Sequence, residues 1–320
     1  MSLLTLFSAP KPFSDPRIAN IQLNALSSWS RLEDVEILLM GEEAGIAEAA
    51  EGIGARYVEG VRRNASGTPL ISSMLELARR HSLSELLCIM NADMIVMSDL
   101  LEAAKDSRRQ RERFVLLARR WDMEIGERLD FSAGWEGRLR DRVRRSARLH
   151  RPTGSDFFLF PRECYEEIPD FAVGRGGWDN WMIYKARREG WPVIDCTPSV
   201  TIVHQNHDYS HLPGGAPHYS APESDENIQL AGGHAPIRYT VLDATHRLRS
   251  GRLERPEPSS ARWMRKLELF LRSVFFFLPA RQIEEVARPR RWSKRLGRLL
   301  GKKRSNPSGT AGHKSHETRL

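Results

Sequence analysis

The chain has 320 residues, of which 40% are hydrophobic and 28% charged, a composition typical of folded globular proteins and not of disordered segments. This length accommodates one large domain with an appendage. Three cysteines stand far apart without CxxC spacing, which excludes a disulfide-stapled scaffold and favours a reducing, cytoplasmic compartment. No run reaches the roughly 18 to 20 apolar residues of a membrane span, and the opening segment lacks the basic region of a signal peptide.

The net charge of +8 is unevenly distributed along the chain. Residues 251–320 hold 18 Lys or Arg against 6 Asp or Glu, which leaves residues 1–250 with a net charge of −4. A mildly acidic body with a basic appendage is unlike the basic cleft that nucleic-acid binding requires, so we expect no nucleic-acid partner. The charge pattern therefore divides the chain into a folded body over 1–250 and a basic extension over 251–320.

Short apolar runs alternate with helical spacing in the first half of the chain. This alternation predicts βα repeats, and therefore an α/β fold with a mostly parallel central sheet flanked by helices. The predicted strands cover residues 3–8, 35–40, 56–58, 86–90 and 114–118. The predicted helices cover residues 15–29, 44–50 and 69–80.

The second half changes character near residue 119, where Trp, Gly and His concentrate between a few apolar runs. The elements predicted here are strands at 156–160, 193–195 and 200–203 and a helix at 178–189. We expect the loops between them to bind a ligand. From 207 to about 237 the sequence is rich in Gly, Pro, His and Ser, which predicts a long ordered loop or a partly mobile lid.

The basic extension opens with a Pro- and Ser-rich linker at 256–260 and continues with helical spacing over 263–279. This predicted helix carries an apolar, aromatic cluster flanked by Arg and Lys, the pattern of a helix that lies in an anionic headgroup layer, here at the inner face of a membrane. Packing on the rest of the protein or on a second subunit is the alternative. Residues 288–320 have few apolar anchors and are expected to be disordered.

Asn91 and Asp93 follow the apolar run at 86–90. The carboxyl ends of parallel strands are where open α/β sheets bind their ligands. A carboxylate at that edge suits Mg²⁺ or Mn²⁺, because these cations bind one or two carboxylates together with substrate phosphates. The alternative is that these residues only form a turn or cap a helix.

A second candidate segment reads Gly-Arg-Gly-Gly-Trp-Asp-Asn-Trp over residues 174–181. Its glycines allow a ligand to approach the backbone closely, and Trp178 and Trp181 offer flat faces on which sugar rings stack. Asp179 falls in the first turn of a predicted helix, where the helix dipole favours the ionised carboxylate and makes it a proton acceptor. The alternative is that Asp179 or Asn180 caps the helix while both Trp side chains belong to the core.

Three histidines follow the predicted strand at 200–203, namely His204, His207 and His211. Imidazole is a common metal ligand, and this density of histidines beside an acidic site favours a functional role for at least one of them. The spacing does not match the HExxH motif, because Gln205 stands where that motif has Glu. Hydrogen-bonded loop histidines are the alternative.

Arg119 and Arg120 end a predicted strand, and their guanidinium groups can clamp a phosphate at two points. The alternative is a solvated charge pair. The sequence Gly52-Ile53-Gly54 lacks the third glycine of a dinucleotide fingerprint, and neither a GxxxxGK loop nor a GxSxG elbow occurs. Rossmann dehydrogenases, P-loop enzymes and α/β-hydrolases are disfavoured because their motifs are missing.

The order of these motifs, from about residue 5 to residue 211, resembles that of GT-A-type nucleotide-diphospho-sugar transferases, particularly bacterial family 2-like glycosyltransferases. The resemblance implies a GT-A-like catalytic domain in the acidic body, whose loop after the first strand holds the donor nucleoside through Ser8, Pro10 and Lys11. Asn91 and Asp93 stand where the family has an Asp-x-Asp motif, with Asn in place of the first acid. Asp93 is therefore implied as the direct ligand of Mn²⁺ or Mg²⁺.

The resemblance also implies roles for later residues. Asp179 corresponds to the catalytic carboxylate, which takes the proton of an acceptor hydroxyl as that hydroxyl attacks the anomeric carbon, a direct displacement that inverts the sugar centre. His204 is implied as a metal ligand with His207 in reserve, and Arg119 or Arg120 as a further partner of the diphosphate. The substrate-binding residues of the cleft are then Asp156, Trp178 and Trp181.

The resulting hypothesis is a metal-dependent glycosyltransferase that moves a sugar from a nucleotide-diphospho-sugar donor to a saccharide or lipid-linked acceptor. Two other classes stay open. A metal-dependent nucleotidyltransferase or pyrophosphorylase has a similar sheet but usually a Gly-rich basic loop after the first strand, whereas residues 8–12 contain no glycine. A non-catalytic module that binds sugar or membrane would keep the sheet only as a scaffold.

Overall fold

The computed structural model describes residues 2–153, 155–207 and 221–274. Its strands form two sheets and are, in chain order, β1 Leu4–Ser8, β2 Val35–Met40, β3 Arg56–Val58, β4 Leu86–Met90, β5 Met94–Ile95, β6 Val115–Leu117, β7 Trp121–Met123, β8 Arg148–Leu149, β9 Phe157–Pro161, β10 Val193–Asp195, β11 Val203–Gln205, β12 His246–Arg249 and β13 Arg252–Glu254. The chain divides into two compact units, Met1–Glu257 and Pro258–Leu320.

The large sheet has nine strands in the order β13-β12-β10-β6-β9-β4-β1-β2-β3. Among these described strands only β9 and β13 run antiparallel to their neighbours. A smaller sheet has the order β5-β11-β7-β8, with β11 parallel to β7 and antiparallel to β5. The mostly parallel central sheet confirms the α/β fold predicted from the alternating pattern.

Eight α-helices are described in the two units. They are α1 Pro16–Trp29, α2 Ile46–Ile53, α3 Ile71–His81, α4 Asp99–Gln110, α5 Trp135–Ser146, α6 Trp178–Arg188, α7 Pro222–Leu230 and α8 Ser260–Val274. Two apolar clusters cover the two faces of the large sheet, one including α1 and α4 and the other including α3 and α6. β1, β4 and β9 are buried along their whole length, which explains why their sequences are continuous apolar runs.

Helix α1 connects the core to the loops that follow β4. The Asp15 side chain accepts hydrogen bonds from the backbone N–H groups of Arg17 and Ile18, and Pro16 occupies an early position where no N–H is needed. At the other end Trp29 is fully buried, and its indole Nε1 donates to the carbonyl oxygen of Met94 at 2.8 Å. This hydrogen bond links the end of α1 to the first residue of β5.

The body is more regular after β5 than its sequence predicted. Helices α4 and α5 and strands β7 and β8 were not expected, and α7 lies inside the segment predicted as a long loop or lid. Helix α5 buries only Leu139 and Val143, too few apolar positions for its period to stand out. The strand predicted at 200–203 begins instead at Val203, because Val200 and Ile202 are buried in the core without strand pairing.

The unit Pro258–Leu320 is described as far as the end of α8. This helix leaves Trp263 and Phe270 exposed to 65% and 61%, and Arg265 forms an ion pair with Glu268 at 3.2 Å. Residues 275–320, which include the end of the predicted 263–279 helix and the tail expected to be disordered, lie outside the described residues. Within the described part of the chain, no helix combines the length and apolarity that crossing a bilayer requires.

Candidate functional site

The structure brings Asp93, His204 and His207 together at the carboxyl end of β4. Pairing of β5 with β11 places His204 opposite Met94, the residue after Asp93. His207 Nε2 lies 3.1 Å and His204 Nε2 3.7 Å from the same Asp93 oxygen, Oδ2. One ligand atom from each residue falls within 4.8 Å of the other two. His211, the third histidine of the sequence motif, lies outside the described residues.

The donor atoms of this cluster fit a divalent cation. Asp93 Oδ1 is buried and has no hydrogen-bond partner among the described residues. Burial raises the pKa of Asp93, but the hydrogen bond from His207 and the charges of His204, His207 and Lys11 outweigh it and hold the pKa well below its usual range. An ionised carboxylate with two imidazoles is a set of ligands suited to Mn²⁺. Mg²⁺ would be coordinated by the carboxylate oxygen.

Gln205 lies between the two histidines in the sequence and holds the backbone of Asp93 through hydrogen bonds. It is fully buried, and its backbone N–H and side-chain Nε2 both reach the Asp93 carbonyl oxygen, at 3.3 and 3.2 Å. The same Nε2 donates to the carbonyl oxygen of Ile21 at 2.8 Å, while Asn24 Nδ2 donates to Gln205 Oε1 at 3.1 Å. Helix α1 therefore fixes the backbone that carries Asp93, a role that the sequence reasoning did not identify.

Lys11 is the residue of the predicted nucleoside loop that faces the cluster. Gln22 fixes the loop, since its Oε1 accepts from the Lys11 N–H at 2.7 Å and its Nε2 donates to the Lys11 carbonyl oxygen at 2.9 Å. Burial and Arg175 lower the pKa of Lys11, and the Asp93 charge opposes this only in part. Ser8 and Pro10, also predicted for this loop, are buried.

Asn91, Asp156 and Arg120 form the next part of the site. Because β9 runs antiparallel to β4, its first residues lie beside the last residues of β4. Asn91 Nδ2 donates to Asp156 Oδ1 at 3.0 Å, and Arg120 Nη1 donates to Asp156 Oδ2 at 2.5 Å. The Asn91 side-chain amide is thus hydrogen-bonded to Asp156.

Arg119 points away from its neighbour Arg120. Successive residues of an extended segment face opposite sides, and Arg119 Nε donates to the carbonyl oxygen of His150 at 2.7 Å. Burial lowers the pKa of Arg119, and the one charge that opposes this is that of Asp195. Of the two arginines predicted as phosphate partners, Arg120 therefore faces Asp93, while Arg119 is hydrogen-bonded to the His150 carbonyl oxygen.

Asp122 and His150 belong to the site although sequence reasoning gave them no role. Asp122 Oδ2 lies 2.6 Å from His150 Nδ1, and Arg120 Nε donates to Asp122 Oδ1 at 3.0 Å. Burial raises the pKa of Asp122, but His204, His150 and Arg120 outweigh it and keep the pKa below its usual range. No local motif marks this carboxylate, because its place beside His204 depends on the pairing of β7 with β11.

Asp179 lies in the first turn of α6, after Gly177, whose φ of +104° is a conformation that favours glycine. Burial raises the pKa of Asp179 to about 6, with a further increase from the Asp156 charge, against hydrogen bonds from the backbone N–H groups of Asn180 and Ser155. The helix dipole was expected to favour the ionised carboxylate, but burial has the larger effect on the pKa of Asp179 and raises it. Asn180 donates to the Tyr239 carbonyl oxygen at 2.7 Å, and Gly177 is the cap.

Trp178 and Trp181 are core residues. They are 4% and 8% exposed, and they pack edge to face on Phe158 and Phe171 respectively. Their burial corrects the prediction that both rings stack on a sugar. Both Trp side chains belong to the hydrophobic core, which was the alternative interpretation of this segment.

Side chains of helix α7 hold the loop of residues 172–177, which precedes Asp179, through hydrogen bonds and an ion pair. Asn227 is buried, and its amide accepts from the Ala172 N–H at 2.9 Å and donates to the Ala172 carbonyl oxygen at 3.1 Å. Ser224 Oγ accepts from the Gly176 N–H at 3.0 Å, and Glu223 pairs with Arg175 at 2.5 Å. Side chains of α7 thus determine the position of the glycine-rich segment.

Comparison with known proteins gives structural neighbours only. No protein-family model matches the sequence, and no curated protein matches it significantly. A mannosyltransferase from Pyrobaculum calidifontis, solved with GDP-Man and Mn²⁺, is 15% identical with a TM-score of 0.40, and the match covers 63% of this chain and 56% of that one.

Two further neighbours come from bacteria. Glucosyl-3-phosphoglycerate synthase from Mycobacterium tuberculosis, solved with Mn²⁺, UDP and phosphoglyceric acid, is 14% identical over 73% of this chain and 79% of that chain, with a TM-score of 0.44. TarS from S. aureus, solved with UDP-GlcNAc, is 11% identical over 72% and 65%, with a TM-score of 0.47. These three neighbours were solved with GDP-Man, UDP and UDP-GlcNAc respectively.

Proposed function

We propose that this chain is a metal-dependent glycosyltransferase that moves a sugar from a nucleotide-diphospho-sugar to an acceptor hydroxyl. One observation carries the proposal. Close contacts link Asp93 and its two histidines through Asp122 and Arg120 to Asp156, whose charge acts on Asp179. This series supports a site in which the proposed cation ligands and a carboxylate with a pKa near 6 share one edge of the sheet, where open α/β sheets bind ligands.

In this proposal Asp93, His204 and His207 hold Mn²⁺ or Mg²⁺. When bound, the cation supplies positive charge that stabilises the diphosphate leaving group. Lys11 and Arg120 add cationic side chains next to the same cluster. Their charges favour an anionic ligand there, and Asp156 and Asp122 hold the Arg120 guanidinium in a fixed orientation.

Asp179 is the proposed general base. It accepts the proton of the acceptor hydroxyl while that oxygen attacks the anomeric carbon, and the sugar centre inverts by direct displacement. A pKa of about 6 suits this task, because the carboxylate is mostly ionised at neutral pH and yet is a stronger base than an ordinary Asp. The acceptor is a saccharide or a lipid-linked saccharide.

The proposed base makes the rate depend on pH. Since the pKa of Asp179 is raised to about 6, kcat is expected to fall as the pH drops below about 6 and the carboxylate becomes protonated. We expect Asp156→Asn to move this acid limb to lower pH, because it removes a negative charge that raises the pKa of Asp179. Both profiles are measured from pH 4.5 to 8 at saturating donor and Mn²⁺. A rate that stays level down to pH 5 contradicts the assignment.

A product assay tests the reaction class. The protein is incubated with UDP-, GDP- and CMP-sugars and Mn²⁺, and the released nucleotide is identified by anion-exchange chromatography. Release of UDP or GDP supports glycosyl transfer, whereas release of sugar 1-phosphate, with the nucleoside monophosphate moved to an acceptor, indicates a nucleotidyltransferase. Saturable binding without any product indicates a non-catalytic module, and either of the last two results overturns the proposal.

We further propose that the basic extension binds an anionic membrane surface. The supporting observation is that α8 exposes Trp263 and Phe270 on a helix that also carries Arg262 and Lys266. Deletion of residues 256–320 is expected to abolish co-sedimentation with phosphatidylserine vesicles while the rest of the chain stays folded by circular dichroism. Phosphatidylcholine vesicles are the control. Equal sedimentation of the deleted and full-length chains contradicts this role.

A further inference from the structure

We infer that Asp122 is a positioning residue that orients His204 toward the cation. The inference rests on the proposed metal site and extends it to a carboxylate that is not itself a ligand. Asp122 lies outside the group of ligand atoms formed by Asp93, His204 and His207. Its effect on the cation is therefore exerted through the His204 ring.

The strand register places His204 between two carboxylates. β11 is the middle strand of β5, β11 and β7, and His204 is opposite Asp122 on the parallel strand β7. On its other side β5 begins directly after Asp93. Side chains of residues paired in this way project from the same face of a sheet, so the Asp122 carboxylate reaches the imidazole. Asp93 precedes Met94, the residue paired with His204 on β5, and it approaches the imidazole from the start of that strand.

Each ring nitrogen of His204 faces a different carboxylate. Nδ1 lies 3.3 Å from Asp122 Oδ1, and Nε2 lies 3.7 Å from Asp93 Oδ2. Nδ1 is buried, and its 3.3 Å approach to Asp122 is an ion-pair contact, since no hydrogen bond of good geometry reaches this nitrogen among the described residues. A proton on Nδ1 that faces Asp122 leaves the lone pair of Nε2 directed to the cation cluster, because the partner of one nitrogen determines the tautomer.

Asp122 is itself held before any ligand binds. Arg120 Nε donates to its Oδ1 at 3.0 Å, and His150 Nδ1 lies 2.6 Å from its Oδ2. The same Arg120 reaches Asp156, so the support of His204 continues into the part of the site that adjoins Asp179. Partners of this kind increase the basicity of a histidine ligand and restrict the rotation of its ring, and their removal typically costs about 10- to 100-fold in metal affinity.

The test measures Mn²⁺ binding by the full-length chain. Free Mn²⁺ is quantified by its EPR signal, and spin-echo EPR detects the nitrogen of each coordinated imidazole. Asp122→Ala is expected to weaken Mn²⁺ binding by about 10- to 100-fold and to reduce the imidazole signal toward that of His204→Ala. Asp122→Asn keeps an oxygen that accepts from Nδ1 but not the charge, so we expect a smaller loss with both imidazole signals present.

Asp99→Ala is the matched control. Asp99 is also paired with an arginine, Arg140 at 3.0 Å, and it accepts from the backbone N–H of Thr201, near the same strand, but it does not contact His204. We expect this variant to lower the melting temperature and to leave the Mn²⁺ affinity unchanged. An equal loss of affinity in Asp99→Ala and Asp122→Ala would indicate general destabilisation and overturn the inference.

The remaining outcomes separate the inference from the proposed function. If the wild type binds Mn²⁺ and the Asp122 variants bind it equally well, the positioning role is overturned and the metal site stands. If Asp122→Ala does not fold, Asp122→Asn alone decides, and wild-type affinity in it overturns the inference. A wild type that binds no Mn²⁺ and shows no imidazole coupling overturns the metal site and the inference together.

Discussion

Asp179→Asn is expected to lower the transfer rate by about 10²- to 10⁴-fold, the usual contribution of a general base, while donor binding stays close to that of the wild type. The reason is chemical, since Asn has the shape of Asp but cannot accept the proton of an attacking hydroxyl. The rate is followed by release of nucleoside diphosphate, and donor affinity by calorimetry. Glu189→Gln, at the far end of α6, is the matched control and should keep full activity.

The same substitution is expected to stabilise the protein at neutral pH. The pKa of Asp179 is about 6 in the folded chain against an ordinary value of 3.8, so the ionised carboxylate disfavours the folded state at every pH above about 6. That difference corresponds to at most about 3 kcal/mol, and Asn removes the penalty. The gain should vanish below pH 4, where Asp is protonated in both states.

For the rate, an Asp179→Asn variant that keeps more than half of the wild-type activity would refute the role of Asp179 as base.

Asp93→Asn is expected to remove the cation and with it most of the activity. Asp93 is the one carboxylate among the three grouped ligands, and its Oδ1 has no other partner among the described residues. Loss of a direct ligand should exceed the roughly 100-fold upper range seen for outer partners of metal ligands. The affinity is measured by Mn²⁺ EPR and the rate by nucleotide release at saturating donor.

The Asp93 variant should also differ from Asp179→Asn in stability. Asp93 faces Lys11, His204 and His207, so its removal leaves cationic and polar groups without their counter-charge. We expect a lower melting temperature for Asp93→Asn and a higher one for Asp179→Asn at pH 7. Asp99→Asn, a carboxylate outside the cluster, is the control for Mn²⁺ affinity. Mn²⁺ binding by Asp93→Asn within threefold of the wild type would contradict this account.

The sequence was most informative where an apolar run ends in a polar group. β4 is buried on both faces, and its last residue, Met90, directly precedes Asn91. Asp93 was therefore predictable as a residue at the carboxyl edge of the sheet, where open α/β sheets bind ligands. His204 was also predictable as a candidate, but its strand was placed about three residues too early because buried apolar residues precede β11. Local hydrophobicity locates the sheet edge well and the strand boundary less well.

The rest of the site depends on contacts between distant segments. Asp122 lies in a strand of only three residues and gains its role because β7 pairs with β11. The two Trp residues were misread because aromatic composition does not distinguish a stacking surface from a core. For Asp179, the local helix argument gave the opposite direction of the pKa change, since burial by other parts of the chain has the larger effect.

Strand β9 has a practical consequence for protein engineering. Because it runs against β4 and β6, its entry at Asp156 adjoins the site, whereas its exit at Pro161 lies opposite Leu86, about 15 Å away for a strand of this length. Randomised libraries meant to alter substrate choice are therefore best confined to the residues that lead into this strand. Fluorescent labels or immobilisation tags belong after its last residue, where they leave access to the donor unobstructed.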